Sequence, residues 1–405
     1  MSGDDYGDLI SSLAIANDKR IVLLVMDGLG DCDNDGGGTA LQQAHTPNLD
    51  ALAARSALGL QVPVAVGVTP GSGPGHLGLF GYDPTIYQVG RGVLSALGIE
   101  FPLTPRDVAA RLNFCTVDSA GLIADRRAGR ISDDENKRLL ALIRRNIKAP
   151  AGVEVFFETE AEHRALMVLR GHKLDDDIGD TDPQMTAEPP LSPTRAPHDR
   201  SRTAKIVGGI ITQVRNILAG EPRANMILAR GFAKFPTWPT FAQRFKLDAA
   251  AVAGYPMYRG VARLVGMEVV AQPTTAADIC TETVNAIKKH TFVFSHFKYT
   301  DKTGEDGDLS AKIARIEEMD AALPTLLAAS PDVLIITGDH STPPSLKAHS
   351  WHSVPVLMSA PHLRGGDGGH FDEVTCRSGQ IGTILAKQLI PLAMAHAEKL
   401  EKFGA

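Results

Sequence analysis

The sequence predicts an α/β protein, a doubly wound parallel sheet interrupted by a smaller inserted α+β domain. Three observations carry that expectation. Short apolar runs recur without polar alternation, the pattern of strands buried on both faces of a helix-covered parallel sheet. Helical patterns lie between these runs, as in a chain that alternates strand and helix. At 405 residues the chain is also longer than one compact core accommodates.

The first run, Ile21-Val22-Leu23-Leu24-Val25-Met26, follows Lys19-Arg20 and ends at Asp27-Gly28. The same form recurs at residues 225–229, 291–297, 332–337 and 354–358, and a β-like run spans 60–68. Thr46-Pro47-Asn48-Leu49-Asp50 opens a helix, with Thr46 at the N-cap, proline at the first helical position and an acid in the first turn. Residues 309–328 read as a long amphipathic helix and 377–389 as another. The stretch 103–200 differs in texture, with shorter strands expected at 153–157 and 165–169 and a charged helix at 133–148. It ends in a proline-rich polar segment from Asp180-Thr181-Asp182-Pro183 to Pro197, a length of irregular chain that suits a functional loop or linker. The expected division is therefore a core of 1–102 and 201–405 around an inserted domain of 103–200, the chain rejoining the main sheet near Thr203.

Composition excludes several classes. Hydrophobic residues make up 43% and charged residues 22%, which rules out a wholly disordered or fibrous chain. Lys and Arg total 41 against 47 Asp and Glu, a net charge of −6, and no basic face points to nucleic acid. The N-terminus has no basic n-region or long apolar h-region of a signal peptide, and no run approaches the ~20 apolar residues of a membrane span. Cys32, Cys115, Cys280 and Cys376 form no CxxC pair, which suits reduced thiols in a cytoplasm.

Ligands of an open parallel sheet gather beyond the carboxyl ends of its strands. The expected strand ends deliver Asp27, then Lys298, Asp301 and Glu305, then Gly338-Asp339-His340, with His349 in the loop before the run at 354–358. Carboxylates mixed with imidazoles suit Mn²⁺, Zn²⁺ or Mg²⁺ and would hold two ions, since like carboxylates cluster where cations neutralise them. A single aspartate at a strand end is also a common turn former. In Thr69-Pro70-Gly71-Ser72-Gly73-Pro74-Gly75-His76 a serine sits between glycines ahead of a helical pattern, where its hydroxyl would be exposed beside backbone N–H donors. That suits a nucleophile attacking phosphorus; a plain Gly/Pro turn is the other reading. The glycine spacing matches neither a dinucleotide-binding fingerprint nor a Walker loop. Arg91, Arg111, Arg130 and Arg230, whose guanidinium forks match carboxylate and phosphate, form with Lys298 the candidate substrate-binding set.

Taken together, these segments resemble the archaeal-type, 2,3-bisphosphoglycerate-independent phosphoglycerate mutases of the alkaline phosphatase superfamily. The resemblance runs from about Lys19 to Leu389. It rests on Met26-Asp27-Gly28-Leu29-Gly30-Asp31, Thr46-Pro47-Asn48-Leu49-Asp50, Pro70-Gly71-Ser72, Gly81-Tyr82-Asp83-Pro84 and Gly90-Arg91-Gly92, and then on Asp180-Thr181-Asp182-Pro183, Ala229-Arg230-Gly231 and Gly338-Asp339-His340-Ser341-Thr342-Pro343. It implies an alkaline-phosphatase-like core with an inserted substrate-binding lid, and interconversion of 3-phosphoglycerate and 2-phosphoglycerate through a phosphoserine, without added 2,3-bisphosphoglycerate. By position, Ser72 resembles the nucleophile and a metal contact. Asp27, Asp339 and His340 resemble the ligands of one ion, and Asp301, Glu305 and His349 those of a second. Two departures stand out. Glu305 occupies a position where the family pattern has histidine, which favours harder ions, Mn²⁺ first, with Mg²⁺, Co²⁺ or Zn²⁺ as other occupants. Val93-Leu94-Ser95-Ala96 also stands where a proline and an acidic residue are expected. A phosphomonoesterase of the same superfamily and a non-catalytic metabolite-binding homologue are the alternative functions.

Overall fold

The computed structural model describes residues 3–194 and 201–404. The chain divides into two units, Met1–Gln88 with Trp238–Ala405, and Val89–Thr237. The strands among the described residues are β1 (Ile21–Met26), β2 (Ala57–Val62), β3 (Asp107–Val117), β4 (Ile123–Asp125), β5 (Val153–Ala161), β6 (Arg164–Gly171), β7 (Met226–Lys234), β8 (Ala249–Ala253), β9 (Glu268–Ala271), β10 (Phe292–Phe297), β11 (Val333–Thr337), β12 (Val354–Ser359) and β13 (Gly382–Leu385).

The first unit holds an eight-stranded sheet in the order β13-β2-β12-β11-β1-β10-β8-β9. β1 sits centrally, parallel to both β10 and β11. All six of its side chains are buried, as expected of a strand covered on both faces; each aliphatic side chain so buried contributes roughly 1.5–3 kcal/mol. β12 runs against its neighbours, antiparallel to β11 and to β2. That reversal matters for the site. With Thr337 paired to Val356 and Gln61 to Val354, the start of β12 lies at the edge where β11 and β2 end.

The second unit is an antiparallel sheet in which β3 pairs with β4, β6 and β7, and β5 with β6. One core joins Leu112 and Phe114 of β3 to Leu139, Leu140 and Ile143 of the Asp133–Asn146 helix and Val207, Ile210 and Val214 of the Arg202–Ile217 helix.

Several expectations are corrected here. The second unit is wider than 103–200 at both ends, while Pro197 and Arg200 lie outside the described residues. It begins earlier because the Arg91–Gly98 helix packs on β3: a Cβ on Gly92 would lie 2.2 Å from the Ala109 carbonyl oxygen. It ends later because β7 belongs to its sheet. The apolar run at 225–229 pairs antiparallel with β3 rather than joining the parallel sheet, and the chain does not rejoin the main sheet near Thr203. The stretch 377–389 is not one helix but a turn, β13 and a short 3₁₀ segment (Ala386–Gln388). Gly379 lies flat on β2, where a Cβ would meet the Leu58 carbonyl oxygen at 2.2 Å, and Gly382 has φ +69°. The run at 60–68 is a strand only to Val62, with Pro63 next in the chain. The helices at 309–328 and 133–146 form close to expectation.

Candidate active site

Strand direction gathers the candidate residues of the first unit. β1 ends before Asp27, β10 before Lys298, and β11 before Asp339 and His340. β2 leads through a loop to Ser72, the first residue of the Ser72–Leu79 helix, and His349 precedes β12. Ser72 Oγ lies 3.3 Å from His340 Nε2.

Hydrogen-bond partners assign both imidazole tautomers. Thr342 Oγ1 donates its one proton to Asp301 Oδ1 at 2.6 Å, so at 3.0 Å it accepts from His340 Nδ1. His349 Nδ1 donates to the Pro70 carbonyl at 2.9 Å. Each histidine therefore turns an Nε2 lone pair toward carboxylates. His340 Nε2 is 3.3 Å from Asp27 Oδ1, 3.3 Å from Asp339 Oδ2 and 3.9 Å from Asp301 Oδ1. His349 Nε2 is 3.6 Å from Asp301 Oδ1. Acceptors facing acceptors in a buried place is an arrangement that a cation satisfies. Asp27 Oδ1 and Asp339 Oδ2, both buried, have no hydrogen-bond partner. The ligand atoms form two sets, Asp27–Asp339–His340 and Asp301–His340–His349, each within 4.8 Å of one another, with His340 common to both. These residues fit a divalent ion with mixed oxygen and nitrogen ligands.

Glu305 stands apart from those sets. It is 53% exposed at the side chain, with Oε1 3.7 Å from His349 Nε2. Lys298 Nζ sits 3.0 Å from Asp27 Oδ2 and 3.1 Å from the Tyr258 hydroxyl, and also pairs with Asp301. Burial alone would raise the Asp27 pKa, but the Lys298 ammonium and the His296 contact outweigh it and hold the carboxyl well below its usual range. Burial likewise opposes the charge on Lys298, and Asp27 and Asp301 together raise its pKa.

The second unit carries an arginine cluster. Arg111 of β3 and Arg230 of β7 are register partners across the sheet, a like-charged pair that an anion would relieve. Burial lowers the pKa of both, and neighbouring positive charge adds to it: Arg164, Arg91 and Arg230 around Arg111, Arg91 and Arg126 around Arg230. The balancing acids are distant or partly engaged elsewhere. Glu160 lies 3.9 Å from Arg111, Asp182 lies 3.4 Å from Arg230, and Asp182 also accepts both prongs of Arg126 at 3.0 and 2.7 Å. The buried Nε of Arg230 has no hydrogen-bond partner. Arg91 thus joins Arg111 and Arg230, whereas Arg130 is exposed in the turn after β4 with φ 53°.

Residues that sequence reasoning missed include Arg164 and three rings beneath the carboxylates: His76, Tyr258 and His296. A histidine inside the apolar strand Phe292–Phe297 was the one signal that could have pointed to the last group.

Known proteins bear out the family reading. Residues 53–224 match the family model described as 2,3-bisphosphoglycerate-independent phosphoglycerate mutase. Proteins of Thermus thermophilus and Thermosipho africanus, each named "Probable 2,3-bisphosphoglycerate-independent phosphoglycerate mutase", are 47% identical over 99% of this chain and 100% of theirs. Among solved structures, a Pyrococcus horikoshii protein aligns with TM-score 0.81 and 29% identity over 96% of this chain and 99% of its own. A cofactor-independent phosphoglycerate mutase from Thermoplasma acidophilum aligns with TM-score 0.71 and 30% identity over 94% and 100%. Near-complete coverage in both directions, on a chain whose serine, aspartates and histidines meet at one sheet edge, means that this protein belongs to the 2,3-bisphosphoglycerate-independent phosphoglycerate mutase family.

Proposed function

We propose that the protein interconverts 3-phosphoglycerate and 2-phosphoglycerate in the cytoplasm, with Ser72 as the phosphoryl acceptor. The observation that carries this reading is the position of Ser72. Its Oγ lies at the start of a helix, 3.3 Å from the histidine that both ligand sets share. Asp27, Asp339 and His340 would hold one divalent ion, which takes the single Nε2 lone pair of His340, and Asp301 and His349 a second, with Glu305 joining the latter by a small side-chain movement. Such ions, Mn²⁺ foremost, supply positive charge against the transferring phosphoryl oxygens and lower the pKa of a hydroxyl beside them.

The chain's own residues do the rest. Ser72 Oγ attacks phosphorus in line; the bond to the glycerate oxygen breaks, and glycerate keeps that oxygen as a hydroxyl. The phosphoryl group then returns to the neighbouring hydroxyl of the same glycerate, restoring Ser72. Lys298 offers a fixed positive charge beside the site, and Arg91, Arg111 and Arg230, with Arg164, supply guanidinium forks for the substrate carboxylate and phosphate. The Val89–Thr237 unit is thus assigned a substrate-binding and lid role, in which keeping water from the phosphoserine separates mutase from phosphatase. The four unpaired cysteines agree with a reducing compartment, and no helix among the described residues is long and apolar enough to cross a membrane. A Mn²⁺-reconstituted assay with 3-phosphoglycerate, free of 2,3-bisphosphoglycerate and coupled to enolase, tests the reading. Turnover should appear there and not in a parallel phosphate-release assay; phosphate release without 2-phosphoglycerate would overturn it.

A further inference from the structure

Beneath the carboxylates of the first unit lies a layer of three buried rings to which the proposed reaction gives no part. His76 is on the Ser72–Leu79 helix, Tyr258 on the Pro256–Leu264 helix and His296 on β10. Their exposures are 0%, 0% and 2%. Tyr258 and His296 stack with centroids 3.7 Å apart and planes at 24°. His76 lies 4.7 Å from Tyr258 and 5.2 Å from His296. Phe80 and Phe294 pack edge-on against His76, so the surroundings are apolar and a phenylalanine would fill such a place without burying polar atoms.

The polar atoms of these rings converge on two carboxylates. The Tyr258 hydroxyl donates to Asp27 Oδ2, and His296 Nε2 is 3.3 Å from the same oxygen. The other oxygen of that carboxylate, Oδ1, faces His340. One oxygen of Asp27 is therefore engaged from below while the other is presented to the site. His76 Nδ1 is 2.8 Å from the Ser72 carbonyl and 3.2 Å from Asp339 Oδ2, both acceptors, so it is the protonated nitrogen. Its hydrogen bond goes to the Ser72 carbonyl, and Asp339 Oδ2 stands in electrostatic contact with the same nitrogen, a looser tie between the serine's own turn of helix and the aspartate after β11. Gly75 tightens that tie, because the helix approaches Asp339 so closely that a Cβ there would lie 2.6 Å from its carbonyl oxygen.

We propose that His76, Tyr258 and His296 form a positioning layer that fixes the carboxylates of Asp27 and Asp339 for ion binding and keeps Ser72 in register with them. The inference rests on the metal-dependent reading above and names residues that act through the ligands without touching substrate. Partners of this kind set ligand orientation, and their loss costs roughly 10–100-fold in metal affinity. Asparagine places a donor near the Nδ1 position of histidine, whereas leucine keeps bulk alone; Tyr258→Phe removes one hydroxyl and leaves the stack.

Calorimetric titration of the chelator-stripped full chain with Mn²⁺ tests the proposal, with circular dichroism alongside. His76→Leu and Tyr258→Phe should each weaken one ion by about tenfold or more, while His76→Asn stays within about threefold of wild type. The kcat should fall in His76→Leu more than the KM for phosphoglycerate changes. Wild-type Mn²⁺ affinity in both His76→Leu and Tyr258→Phe would overturn the inference. If His76→Leu does not fold, Tyr258→Phe decides alone. A wild-type chain that binds Mn²⁺ but does not turn over phosphoglycerate defeats the assigned activity and leaves the affinity comparison decisive; one that takes up no Mn²⁺ overturns both.

Discussion

Ser72, Glu305 and His163 each make a separate claim about single side chains. Ser72→Ala should abolish mutase turnover with an unchanged circular dichroism spectrum, because the acceptor oxygen is gone and the helix it begins is not. Activity above a few per cent would remove Ser72 from the chemistry. Glu305, at the rim beside His349, adds a carboxylate where an imidazole would be neutral, so Mn²⁺ should support the highest activity and Zn²⁺ little. Glu305→His should move that preference toward Zn²⁺; an unaltered two-site Mn²⁺ isotherm in Glu305→Ala would show that the residue is no ligand. His163 has no part in the site. Burial, reinforced by the Arg164 charge, lowers its pKa to about 4. The unfolded chain, with its histidine near 6.5, therefore takes up the proton first as the medium acidifies. The stability His163 contributes is whole above pH 6.5 and drains away between pH 6.5 and 4. Denaturant melts at pH 7.5 and 5 should show a wild-type loss that shrinks by roughly 1–2 kcal/mol in His163→Gln. The ligand residues were legible in the sequence because each lies within a few residues of the end or start of an apolar run. His76, Tyr258 and His296 were not, because they sit within elements where an aromatic ring reads as core.

At the scale of elements, the helix Pro47–Ala53 shows what local sequence omits. Thr46 occupies its N-cap position, as expected, yet makes no capping hydrogen bond. Asp320, from the long Leu309–Ala328 helix, takes over that function, accepting from Leu49 N at 2.7 Å and from Asn48 N and Nδ2 at 3.3 and 2.9 Å. Asp320→Ala should cost about 2–3 kcal/mol by leaving buried donors unmet, and Thr46→Ala less than about 1, measured by thermal unfolding. Equal losses would reverse the assignment. The same gap explains the strand errors. β7 and β10 are alike as apolar runs, and a run reveals burial without naming the neighbour that provides it. Glycines 379 and 382 gave the contrary sign at 377–389, since a helix tolerates neither a flat contact with a strand nor φ +69°.

For the whole molecule, the proposed ion ligands all lie in one of the two units, within Met1–Gln88 and Trp238–Ala405. Saturating Mn²⁺ stabilises only what binds it, by about 2.7 kcal/mol at a hundredfold excess over Kd. Hydrogen exchange should therefore slow in β1, β10 and β11 on adding Mn²⁺ and stay unchanged in β3, β5 and β6. Uniform slowing would mean that the two units unfold as one. The position of β1 has a consequence for biosynthesis. Its two neighbours, β10 and β11, both belong to the part of the chain made after the Val89–Thr237 unit. During translation the segment Ile-Val-Leu-Leu-Val-Met leaves the ribosome ahead of the whole Val89–Thr237 unit and has no partner strand until that unit has been made. The inserted unit, contiguous in sequence, is free to fold in the meantime, so a wholly apolar strand waits unpaired beside it, a natural client for a chaperone.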